Sequence, residues 1–168
     1  YTFDKWSDAV VDSENSTIFL AKKGMKIGFG SIGKGYAADK GRQLLQSLGV
    51  KAGIVNASGD IATWGNQLDG TPWRIGVNNP FETGEMVETL EFSANNAVAT
   101  SGSYEKYAEI NGKRYSHIIN PKTGFPSSGI TSVTIIGENA ETCNGFSTSI
   151  MVLGLKKGLK LIKKHPEY

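Results

Sequence analysis

An α+β fold, a mostly antiparallel β-sheet with two or three packed helices, is predicted by three features of the sequence. Short runs rich in Val, Ile, Thr, Phe and Trp recur along the chain and are punctuated by Gly, Asn, Asp and Pro, which is the pattern of strands and turns. Two runs flank Asn111-Gly112, the strongest short hairpin signal, because both residues tolerate the positive φ of a type I′ turn. Helical spacing occurs in only three places: after the glycine-rich residues 25–35, over 142–153, and over 155–164. With 168 residues, 39% hydrophobic and 20% charged, the chain can bury one sizeable core, so a single domain over 1–168 is expected.

In chain order, residues 1–20 read as two short strands, Val10-Val11 and 17–20, joined by a polar turn. The glycine-rich stretch 25–35 then feeds a helix whose inner positions are expected at Ala37, Gly41, Leu44, Leu45 and Leu48, with Gly49 as its stop. Residues 53–57 form a buried strand that breaks at Ser58-Gly59-Asp60 and resumes over 61–64. Further strands are expected at 73–77, 86–92, 96–100 and 104–110, then at the run that carries His117, and at 131–136. The helix over 142–153 turns Cys143, Phe146, Ile150 and Leu153 inward, and the last helix does the same with Leu155, Leu159 and Ile162 while its lysines face solvent.

Composition removes several function classes. The net charge of +2 is small and no basic patch is interleaved with aromatics, so nucleic acid is not an expected partner. Cys143 is the sole cysteine, which excludes an intrachain disulfide and a Cys-rich metal site, so chemistry must come from oxygen and nitrogen groups. No apolar run is long enough to span a bilayer. The chain starts abruptly, without Met or a signal sequence, and is expected to be part of something longer.

Four places offer chemistry, and each has a structural reading beside the functional one. His117 follows a β-like run and precedes a sharp Asn-Pro and Thr-Gly turn; it is either a presented proton acceptor or a histidine satisfied by a neighbouring carbonyl. Glycines before a helix start, with Lys34 added, suit a phosphate. The same glycines satisfy G-x-G-x-x-G from Gly28 to Gly33, but a strong strand before them and an acid about 20 residues beyond are missing. A Walker loop would need Ser or Thr where Gly35 stands. Asp60, at a strand break, is either functional or the cap of an Asx-turn. Asn144 and Thr148, one helical turn apart, either offer oxygen to a hard cation or bond within the helix, Thr148 reaching back to the carbonyl of Asn144.

Five blocks in series, residues 30–37, 56–60, 100–104, 115–124 and Asn144-x-x-x-Thr148, together resemble the ApbE family of FAD:protein FMN transferases. The resemblance implies a C-terminal portion of that fold. It also implies magnesium-dependent transfer of FMN from FAD to a Thr or Ser hydroxyl of an acceptor flavoprotein, with release of AMP; an FAD-binding protein without transfer and an FAD pyrophosphatase are the alternatives. By the same resemblance, Ser31 (through its main-chain carbonyl), Asn144, Thr148 and the adjacent Ser147 hold the metal. Gly28, Lys34, Asp60, Ser101, Gly102 and Ile118 make the FAD site, and His117 is the catalytic base. Members resembling this sequence are typically lipoproteins, so the expected location is the outer face of the bacterial inner membrane or the periplasm, with membrane association only through a lipid anchor absent from these residues. This chain departs from the common family form at Gly28 and Asn144, where Asp is usual, and at Lys106, where Arg is usual.

Overall fold

The computed structural model describes residues 6–82 and 84–168 of the chain. The first five residues lie outside that set. At the centre is a four-stranded sheet in which β3 (Gly53–Ala57), β4 (Asp60–Trp64), β7 (Asn96–Gly102) and β10 (Ser132–Gly137) stand in the order β10-β7-β4-β3, every pair antiparallel. Two helices, α1 (Gly33–Ser47) and α2 (Ala140–Leu153), pack against the sheet and against each other. Helix α3 (Leu155–Ile162) packs on α2, and three two-stranded ribbons complete the described fold: β1 (Ala9–Asp12) with β2 (Thr17–Leu20), β5 (Trp73–Asn78) with β6 (Met86–Phe92), and β8 (Tyr107–Ile110) with β9 (Lys113–Ser116). This is the α+β architecture expected from the sequence.

Ala38, Ala62, Ala97, Ala99, Ala140, Cys143, Ile135 and Ile150 form one buried cluster between the helices and the sheet. Where the starts of α1 and α2 meet, a Cβ on Gly35 would land on the carbonyl of Ala140, so only glycine permits that approach. Burial pushes the Cys143 thiol up to about 12, which leaves it an inert packing group.

The inner face of α1 is not the expected one. Leu44 is 59% and Leu48 71% exposed, while Asp39 and Arg42 are buried. The reason is a polar network that periodicity does not register. Asp39 accepts N–H bonds from Ala140 and Glu141 at 3.1 and 2.9 Å, capping α2 where its own N-cap residue Asn139 makes no side-chain bond. Arg42 pairs with Asp39 at 3.0 Å and donates to the carbonyls of Glu138 and Asn96 at 2.8 and 3.1 Å. Leu153, Leu155 and Leu159 are likewise exposed rather than turned inward; Gly158 packs against Ile150 in their place.

Two strand expectations also change. The segment read as one interrupted strand is a hairpin, β3 paired antiparallel with β4, closed by Ser58 and Gly59 at φ 57° and 96°. Asn56 Oδ1, not Asp60, takes the turn's bond, from the Gly59 N–H at 2.8 Å. The strand expected over 104–110 begins only at Tyr107, since the preceding residues turn. The Asn111-Gly112 hairpin stands as read, at φ 53° and 74°, and joins β8 to β9.

Candidate functional site

A cleft of about 890 Å³ opens where the glycine-rich loop, the end of β7, the segment after β9 and the outer side of α2 converge. Its wall brings together eight of the residues expected from the sequence: Ser31 and Lys34, Ser101 and Gly102, His117 and Ile118, and Asn144 and Thr148. Ser147 lies behind the wall, fully buried. Asp60 is behind it too, reaching the cleft only through Lys34. Gly28 is outside the wall, exposed, with open space where a Cβ would stand.

Lys34 sits in the first turn of α1 and its ammonium is held from behind. Nζ lies 3.2 Å from the Ser58 carbonyl and 3.1 Å from Asp60 Oδ1. Two of its three N–H bonds are thereby spent on fixing its direction. Asp60 has 0% exposure and its Oδ2 has no partner. Burial raises its carboxyl above the ordinary value, with the Lys34 charge opposing that rise.

His117 is the first residue after β9, and two bonds to one carbonyl pin it. Its N–H and its Nδ1 lie 3.1 and 2.8 Å from the oxygen of Lys106. A carbonyl only accepts, so Nδ1 is the protonated nitrogen and Nε2 carries the free lone pair in the neutral ring. One ring nitrogen is thus satisfied by a carbonyl, and the other has no partner among the described residues. The chain then folds back through Asn120, whose carbonyl accepts from Gly124 at 2.8 Å, while Ser127 donates to the Ile118 carbonyl at 2.7 Å. That loop keeps Ile118 buried beside the imidazole.

On α2, Asn144 is 2% exposed and its Oδ1 has no hydrogen-bond partner. Buried polar oxygens are ordinarily paired, so an orphan at a cleft wall fits a donor atom that a ligand completes. The back-bond to the Asn144 carbonyl comes from Ser147, at 3.1 Å, and not from Thr148. Thr148 Oγ1 instead lies 3.0 Å from Ser101 Oγ, which is also 2.8 Å from Ser147 Oγ. One serine on β7 thereby sets two hydroxyls of α2. Among the described residues no cluster of three His, Cys, Asp or Glu exists, so on α2 a cation would meet neutral oxygens, with Glu105 a single carboxylate elsewhere on the wall. Those oxygens are of the type a hard cation such as magnesium takes, and in that respect the residues fit it.

Sequence reasoning missed Asp39 and Arg42, which hold α2 in place, and it left Glu105 and Lys157 of the cleft wall without a part. Beyond their own i,i+3 contact, the partners of the buried pair lie 21 to 102 residues away, where no local pattern reaches.

A directed cation at a helix start, a histidine with one free basic nitrogen, and neutral oxygens on a facing helix define a site suited to a phosphate-bearing ligand. The family model described as the ApbE family matches residues 3–168, and the chain belongs to that family. It is 34% identical over 156 residues to an FAD:protein FMN transferase of Haemophilus influenzae, covering 92% of this chain and 45% of that protein. With the corresponding protein of Vibrio cholerae it shares 35% over 147 residues, covering 87% and 44%. Among solved structures, the ApbE protein of Thermotoga maritima superposes with a TM-score of 0.87 at 37% identity, covering 98% of this chain and 53% of that one. The apo flavinyl transferase ApbE of Pseudomonas stutzeri gives 0.81 at 32%, covering 98% and 50%. The chain therefore spans about half the length of the relatives it matches.

Proposed function

We propose that the protein containing this chain transfers FMN from FAD to a Thr or Ser hydroxyl of an acceptor protein, with magnesium, and releases AMP. The observation that carries the reading is the free Nε2 of a carbonyl-pinned His117 in the same cleft as Lys34 and the orphaned oxygen of Asn144. The relatives' shared name, FAD:protein FMN transferase, supplies the substrate. In this reading His117 takes the proton from the acceptor hydroxyl as its oxygen bonds to the FMN phosphorus. The P–O bond to the AMP portion breaks, and AMP leaves with the electron pair. Lys34 binds and orients the pyrophosphate through its remaining N–H. The Ser31 carbonyl, Asn144 and Thr148 would hold magnesium, with Ser101, itself bonded to Ser147, fixing the hydroxyl of Thr148. When bound, the ion supplies neutralisation of the pyrophosphate oxygens.

The test uses the intact gene product containing these 168 residues, FAD, magnesium and a Thr-bearing acceptor. Covalent flavin fluorescence on the acceptor is expected. Free FMN and AMP without labelled acceptor would make the protein a pyrophosphatase, and binding without turnover would make it a flavin-binding protein. Replacing His117→Ala should leave FAD binding largely intact and lower transfer by about 10²-fold or more; an unchanged rate would remove His117 from the mechanism. The location proposed from the resemblance, the outer face of the bacterial inner membrane or the periplasm, is checked by fractionating cells.

A further inference from the structure

The cleft's own charges bear on whether its ligands bind separately or together. Resting on the function proposed above, we infer that the cleft holds its divalent cation only together with the pyrophosphate of the nucleotide. Two independent observations carry this. The donors that α2 and the glycine-rich loop offer a cation are an amide oxygen on Asn144, a hydroxyl on Thr148 and a main-chain carbonyl, none of them charged; Glu105 is a single carboxylate on the wall, and no cluster of three acidic or His/Cys side chains exists among the described residues. Affinity for hard cations follows ligand charge, so such a set holds a bare divalent ion weakly. The second observation is the sign of the wall. Lys34, Lys122 and Lys157 line the cleft against Glu105 alone. Asp60 balances Lys34, whereas Lys122 and Lys157 form no ion pair among the described residues.

A wall with surplus positive charge repels a free divalent cation and attracts a pyrophosphate. Once the pyrophosphate is seated, its negative oxygens add what the neutral donors lack, and the orphaned Oδ1 of Asn144 gains a partner. The two ligands then favour each other by one coupling free energy, equal in both directions.

Calorimetry on the intact gene product tests this. Magnesium titrated into the native protein should give little heat alone and at least about 50-fold tighter binding with FAD present, within the usual range of such couplings. FAD titrated with magnesium and with chelator should show the same factor. Asn144→Asp should tighten magnesium binding without FAD by about tenfold or more. Magnesium affinity within threefold with and without FAD overturns the inference and leaves the proposed function standing. FAD that binds under neither condition overturns both. Coupling in the native protein without a gain in Asn144→Asp removes Asn144 from the explanation. Because that variant buries a new carboxylate and can unfold, the two titrations of the native protein decide the coupling without it.

Discussion

Replacing Lys34→Met should destabilise the fold through the charge it leaves behind, and the loss should depend on pH. The methionine keeps most of the apolar stem and removes only the ammonium that stands 3.1 Å from Asp60 Oδ1. Asp60 is then a fully buried carboxylate without a counter-charge. Breaking such a pair from one side costs about 3–5 kcal/mol. Protonation limits the cost: neutralising a carboxyl whose ordinary value is 3.8 takes about 1.4 kcal/mol per pH unit, about 4 kcal/mol at pH 7. The Lys34 side chain is 34% exposed, so solvent screening brings the loss down to about 2–3 kcal/mol, or about 5–10 °C in Tm. The sign follows from the raised folded value of Asp60. Its stabilising state is the protonated one, fully present below about 3.8 and lost as pH rises through the folded value. Without Lys34 that folded value climbs further, so the deficit against the native protein is largest at pH 7 and shrinks toward pH 4. Thermal melts at pH 7 and 4.5 measure it, and Asp60→Asn added to Lys34→Met should restore most of the loss at pH 7. An equal deficit at both pH values, with no recovery in the double variant, would refute the charge argument and leave Lys34 a packing role.

Gly35→Ala should lower stability by about 3 kcal/mol by forcing α1 and α2 apart at the Ala140 carbonyl; a melting temperature equal to the native one would show that the helices can yield there. Ser101→Ala removes the hydroxyl shared by Ser147 and Thr148 and should cost about 1–2 kcal/mol in urea unfolding, more than a surface Ser→Ala change.

The strands and the three helices were legible because their signals are local. Asn111-Gly112 states its turn in two residues, and α2 shows its apolar spacing within four turns. Ser58-Gly59 was misread because serine seldom takes a positive φ, so nothing at that point announced a turn rather than a break. The face of α1 was misread for a different reason: Asp39 and Arg42 are tolerable inside only because each finds partners far along the chain, and a periodicity scan must place charged residues outside. Within the site, the motif blocks named the residues that meet in the cleft, yet their hydrogen bonds came out otherwise. Ser147, not Thr148, bonds back along α2, since Thr148 is taken by Ser101 from a strand 47 residues earlier. Asp60 serves from behind Lys34, which no spacing along one strand expresses.

The cap that Asp39 gives α2 spans 101 residues of chain. During synthesis the sheet partners β3 and β4 and the whole of α1 emerge long before residue 140, with the Asp39 carboxylate waiting for amides that do not yet exist. The helix that carries Asn144 and Thr148 is secured only when the last sixth of the chain closes a loop of that length, a slow step by contact order. Helix α2 consequently leaves the ribosome after every described strand. A nascent chain stalled before α2 holds Lys34 and the histidine loop but lacks α2's contribution to the cleft.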